Sequence, residues 1–164
     1  MSKINLYITD EHTTTGYRPA TLDEIMTGAR QALSQRVRRG TAFTSPKVTA
    51  DYLIARLGNL PYEVFTLIYV DARHRFIACQ DLFRGTIDGA SVHPREVVKE
   101  ALKHNAAAVI LSHVHPSGVA EPSSADEAIT RRLRDALSLV DIRVLDHVIV
   151  AGGDTISFAQ RGLL

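Results

Sequence analysis

His113-Val114-His115 is followed at fixed spacing by Ser123 and Asp126, a His-x-His-x7-Ser-x2-Asp pattern. Two imidazoles and one carboxylate are three ligands of a kind that divalent metals take, zinc above all. A catalytic zinc site uses three protein ligands and leaves the fourth position to water. Ser123 then sets a hydroxyl beside the metal. The chemistry such a set supports is hydrolysis by an activated water.

The flanking residues supply elements that could bring these groups together. Ala106 to Ser112 is a short apolar run of the kind that fits a buried strand. If the strand continues to His115, residues two apart share a face. His113 and His115 then converge, and Val114 turns into packing. Pro116-Ser117-Gly118 breaks the strand. Glu121-Pro122-Ser123 leads into a helical pattern carried by Ile129, Leu133, Leu137 and Val140. Asp126 falls in the first turn of that helix, facing back toward the strand end. A plainer reading exists for each half. Ser123 and Asp126 form a capping-box pattern, although Glu or Gln is the usual third residue. Alternating histidines can line a solvated strand face. The metal reading accounts for all four residues at once, and capping and catalysis are compatible at Ser123. It requires the helix start to fold back on the strand.

These residues resemble the JAMM metalloprotease motif of the JAB/MPN fold. Leu82-Phe83-Arg84-Gly85-Thr86, Val92-His93-Pro94-Arg95-Glu96-Val97, His113-Val114-His115-Pro116-Ser117-Gly118, Pro122-Ser123 with Asp126, and Leu145-Asp146-His147 resemble its RadC branch, over residues 45 to 160. The resemblance implies an α/β fold, a mixed sheet flanked by helices in the MPN, cytidine-deaminase-like, architecture. It also implies an upstream glutamate that activates the metal water, placed where a helix gives way to a strand. Ser45-Pro46 opens a helix with Ser at the N-cap and Pro at the first position. Val48, Tyr52, Leu53 and Leu57 are its apolar positions, and Gly58-Asn59 ends it. Val64 to Val70 then reads as a strand by its β-branched and aromatic content. Glu63 sits at that junction and is the candidate base, against the plain alternative of an exposed strand-start glutamate. Glu96 and Glu100 fall on the solvated face of a helix starting at Pro94. The chain departs from the RadC pattern twice. Val114 stands where RadC-like proteins usually have Asn, and no helix-hairpin-helix segment is legible ahead of the domain. A DNA-binding role that rests on that segment therefore does not transfer.

The remaining sequence sets bounds. A length of 164 residues predicts an N-terminal extension over 1–40 and an MPN domain over 41–164. A hydrophobic content of 45% suits a globular core. A net charge of +1 does not favour nucleic acid as a partner. The single cysteine, Cys79, excludes an internal disulfide and reads as a core residue of a strand. No apolar run is long enough to span a membrane, and no signal-peptide core is visible, so a cytoplasmic protein is the default expectation.

In the extension, Lys3 to Ile8 reads as a strand and Glu11 to Gly16 as a loop. Thr21-Leu22-Asp23-Glu24 starts a helix through Ile25, Ala29, Ala32, Leu33 and Val37. Arg36, Arg38, Arg39 and Gly40 suit a helix end better than a nucleic-acid patch. At the other end, Asp141 to Ala151 reads as one strand with an irregularity at Leu145-Asp146. It turns at Gly152-Gly153-Asp154 and returns over Thr155 to Phe158. His147 is a third candidate metal-site histidine, read as structural because the family's ligand set is complete without it.

The combined expectation is a zinc hydrolase acting on a peptide or isopeptide bond in a peptide or protein substrate. Zinc is held by His113, His115 and Asp126, Glu63 is the base, and Ser123 stabilises the oxyanion. Two rival classes are a DNA-processing or repair-associated factor and a non-catalytic MPN interaction module.

Overall fold

A strand that is apolar on both faces must be covered on both sides. Two such strands, β3 (Val64–Val70) and β5 (Ala108–Val114), are buried along their whole length. The computed structural model describes residues 6–43, 45–85 and 92–164. In it, β3 lies antiparallel to β5 and to β4 (Phe76–Arg84). On the other side, β5 runs parallel to β6 (Arg143–Ala151), which turns back into antiparallel β7 (Asp154–Ser157). The resulting five-stranded sheet has the order β4-β3-β5-β6-β7 and is mixed. The fold is α/β, as expected.

Helices cover both faces. Tyr52, Leu53 and Leu57 of α2 (Pro46–Leu57) pack on Val64, Ile68, Val70, Ile110 and Val114. On the opposite face, Val97 and Ala101 of α3 (Pro94–Lys103) pack on the sheet beside α4 (Ser124–Ser138). Ile129, Leu133 and Leu137 of α4 meet Phe65, Leu67, Val109 and Leu111 there. Val114 is turned into the α2 side, as alternation requires.

Several local readings change. Val48 is 38% exposed, and Thr49 takes a buried place on α2 instead. Cys79 is half-buried because β4 is an edge strand, packed beside the core rather than inside it. The returning strand stops at Ser157, whose Oγ accepts the Gln160 N–H at 3.1 Å and caps α5 (Phe158–Arg161). Phe158 is therefore the first residue of a short helix, fully buried.

Near the N-terminus, β1 (Tyr7–Thr9) and β2 (Tyr17–Pro19) form a small hairpin. The expected strand over 3–8 begins only at Tyr7; Lys3, Ile4 and Asn5 lie outside the described residues, as does Thr86 of the Leu82–Thr86 motif. Helix α1 (Leu22–Arg36) begins as expected. The Glu24 N–H donates to Thr21 Oγ1 at 3.3 Å, and the Thr21 N–H donates to Glu24 Oε2 at 2.9 Å. The side chains of Leu33 and Arg36 lie outside what is described. Among the described residues, no helix is long and apolar enough to cross a membrane.

Candidate metal centre

The site forms where the parallel β5–α4–β6 unit brings the end of a strand against the start of a helix. This is the usual location of sites in open α/β sheets. His113 lies in β5, and His115 follows one residue past its end. The His115 N–H still donates to the Val150 carbonyl at 2.8 Å, so the strand geometry continues to it. The two rings therefore project from one face, with Nε2 atoms 2.9 Å apart.

Asp126 arrives from the first turn of α4, with Ser123 as its N-cap. Ser123 Oγ accepts the Asp126 N–H at 3.2 Å, and the Ser123 N–H donates to Asp126 Oδ2 at 2.7 Å. The capping reading is thus correct, and it does not exhaust the carboxylate. Asp126 is fully buried and faces the histidines, with Oδ1 3.1 Å from His113 Nε2 and Oδ2 3.7 Å from His115 Nε2. The cap itself aims the carboxylate. Two donors from Ser123, its N–H and its hydroxyl at 2.7 Å, hold Oδ2 and leave Oδ1 turned to the rings.

The electrostatics are those of a site built for a cation. Burial raises the Asp126 carboxyl, and the Ser123 N–H and hydroxyl on Oδ2 lower it. The helix N-terminus adds favourable potential. Asp126 Oδ1 is buried without a hydrogen-bond partner, since His113 Nε2 is close but poorly aligned. His115 Nδ1 lies 2.8 Å from the Val119 carbonyl, which can only accept. Its Nδ1 therefore carries the proton, and Nε2 carries the lone pair.

His115 Nε2 and Asp126 Oδ1 thus converge on His113 Nε2. A tetrahedral ion with bonds of about 2.0–2.1 Å needs ligand atoms about 3.3 Å apart, and the 2.9 Å between the two rings and the 3.1 Å from His113 Nε2 to Asp126 Oδ1 come close to that. His113, His115 and Asp126 can hold a metal ion. The His113 side chain is 1% exposed and that of His115 16%, so solvent reaches the centre from the His115 side.

Glu63 is half-buried and directly precedes β3. Phe65 pairs with His113, so continuing the register sets Glu63 opposite His115 on the same face. Glu96 pairs with Lys99 and Glu100 with Lys103 on α3; the Glu100 side chain, 13% exposed, is more covered than a solvated helix face implies.

His147 is drawn in more closely than the sequence reading has it. Its ring is fully buried, with Nε2 2.8 Å from His113 Nδ1 and Nδ1 2.6 Å from Thr130 Oγ1. Burial, with His113 nearby, pushes its pKa well below the ordinary value. Asp146 Oδ1 accepts the His147 N–H at 2.7 Å. Thr130 was missed. Its spacing of four from Asp126 puts both on one helix face, a signal the sequence did carry.

The β5–α4 placement of a His-x-His strand end against an aspartate at a helix start defines a domain of the JAB/MPN fold. The family model described as the RadC-like JAB domain matches residues 43–163, and the chain belongs to that family. It is 64% identical over 135 residues to a UPF0758 protein of Nitrosococcus oceani, covering 82% of this chain and 60% of the relative. It is likewise 64% identical over 145 residues to a UPF0758 protein of Thioalkalivibrio sulfidiphilus, covering 88% and 65%. A UPF0758 protein of Azotobacter vinelandii is 54% identical over 145 residues. The chain therefore spans less than two thirds of the length of these relatives.

Proposed function

We propose that this chain is a zinc-dependent hydrolase of the JAMM type, cleaving a peptide or isopeptide bond in a peptide or protein substrate. The observation that carries this reading is the buried, partnerless Asp126 Oδ1 turned toward His113 Nε2, which itself lies 2.9 Å from His115 Nε2. The mixed N/O set suits zinc, and access from the His115 side is what a catalytic rather than a closed structural centre needs. Bound there, zinc acidifies a water and polarises a carbonyl oxygen.

Glu63, half-buried and immediately ahead of β3, takes a proton from the attacking water and returns it to the leaving nitrogen. The Ser123 hydroxyl has one proton, which it gives to Asp126 Oδ2. The Ser123 backbone N–H holds the same oxygen, so the hydroxyl is free to swing that proton to a developing oxyanion without stranding the carboxylate.

Elemental analysis of protein purified without added metal tests the centre. About one zinc per chain is expected, and a His113→Ala, His115→Ala double variant should hold none. Zinc content that survives the double change would overturn the assignment. A screen of isopeptide-linked peptides against single-stranded and duplex nucleic acid then tests the substrate class. Turnover of nucleic acid alone would replace the peptidase reading.

A further inference from the structure

A buried hydrogen-bond chain leads from Asp126 back to His113, and its direction is fixed. Thr130 Oγ1 donates to the Asp126 carbonyl, one turn earlier on α4. A carbonyl can only accept, so the single hydroxyl proton is used there. His147 Nδ1, 2.6 Å from the same oxygen, must then be the donor. The ring is fully buried between Phe65 and Phe158, so its other nitrogen, Nε2, carries a lone pair. That nitrogen lies 2.8 Å from His113 Nδ1, which therefore donates to it. His113 Nε2 is left bare, facing His115 and Asp126. Asp126 thus anchors one end of the chain by its carbonyl, while its carboxylate faces the other end.

The backbone is shaped for this contact. In the β5–β6 ladder Val109 pairs with Val144, but Ile110 pairs with Asp146, so Leu145 is an extra, unpaired residue. A one-residue slip exchanges the faces of a strand. Without it, His147 would align with Ser112 and point to the α2 side. With it, His147 aligns with Leu111 on the face of His113. Asp146 pins the irregularity. Its Oδ1 accepts the N–H groups of His147 and Ala159, and its Oδ2 accepts the Ser157 hydroxyl. Bulges beside functional sites commonly re-aim one side chain in this way.

We propose that Thr130 and His147 are positioning residues, which lock His113 in the tautomer that presents Nε2 to the metal. The role of that nitrogen rests on reading His113, His115 and Asp126 as metal ligands, while the tautomer itself can be read without metal. Partners of this kind orient ligating histidines and typically change metal affinity about 10- to 100-fold when lost.

The test uses the full chain. Ring ¹⁵N–¹H spectra at about pH 8, where ordinary imidazoles are neutral, should show His113 and His147 both protonated at Nδ1, with and without zinc. Thr130→Val removes the hydroxyl at nearly constant shape and should populate the other His147 tautomer. It should also weaken zinc binding, measured by competition with a chromophoric chelator, by about 10- to 100-fold. Thr130→Ser should restore both. His147→Gln, which keeps an acceptor near the Nε2 position, should bind zinc more tightly than His147→Leu. A proton on His147 Nε2 in the wild-type spectra overturns the proposal, and this readout needs no variant to fold. Unchanged tautomers and zinc affinity in Thr130→Val also overturn it. A wild-type chain that binds no zinc would instead sink the metal reading, with the ring spectra still deciding the relay.

Discussion

At the scale of single residues, the chemistry divides between groups that hold a metal and groups that move protons. Glu63→Gln keeps size and removes the base. Zinc content should be unchanged while hydrolysis falls by about two to four powers of ten. Loss of zinc would make Glu63 a ligand, and full activity would move the base elsewhere. Ser123 carries two duties in the structure, as an N-cap for α4 and as a donor to Asp126 Oδ2. Ser123→Ala should therefore cost about 1 kcal/mol of stability in denaturant titration. If the hydroxyl also serves an oxyanion, turnover falls by about two to three powers of ten as well. A stability loss with unaltered turnover would leave Ser123 a cap and nothing more.

At the scale of elements, packing between α2 and the β6–β7 turn sets a constraint that helix-end rules miss. Gly58 has right-handed φ and ψ of −59° and −18°, a conformation any residue adopts. By backbone entropy alone, Gly58→Ala should stabilise the chain. A Cβ at this position would instead run into the Gly152 carbonyl oxygen, a backbone atom that cannot turn aside. The substitution should therefore destabilise by about 1–3 kcal/mol, read as a lower midpoint in thermal or urea unfolding. A raised midpoint would show that the turn yields, and that this close approach is not a constraint.

The whole molecule is expected to feel the metal, because the centre ties β5 to α4. A ligand bound only to the folded state, present at a thousand times its Kd, stabilises by about 4 kcal/mol. For a chain of this length that raises Tm by roughly 10 °C. Calorimetry with added zinc, and again after chelation, checks it. The stabilisation should fade as pH drops, since protons compete for His113, His115 and Asp126. A melting curve indifferent to zinc and chelator would remove the centre from this chain.

Much of the candidate site was legible in the sequence because its determinants are local. Residues two apart on a strand share a face, which puts His113 and His115 together wherever the strand lies. A Ser at an N-cap fixes Asp126 in the first helical turn, and Ser45-Pro46 and Thr21-Leu22-Asp23-Glu24 mark helix starts by the same short-range rules. The irregularity at Leu145-Asp146 could be suspected from its break in the apolar pattern. Its consequence could not, since a slipped residue changes faces only relative to a partner strand, and the partner is β5. Cys79 looks like core until β4 proves to be an edge. Gly58 looks like a simple helix stop until the β6–β7 turn passes over it. Thr130, His147 and the Val119 carbonyl belong to the centre only because α4, β6 and the loop between β5 and α4 pack against the end of β5. Residue type and spacing decide which ligands a chain can offer; long-range pairing and packing decide which proton sits on which nitrogen.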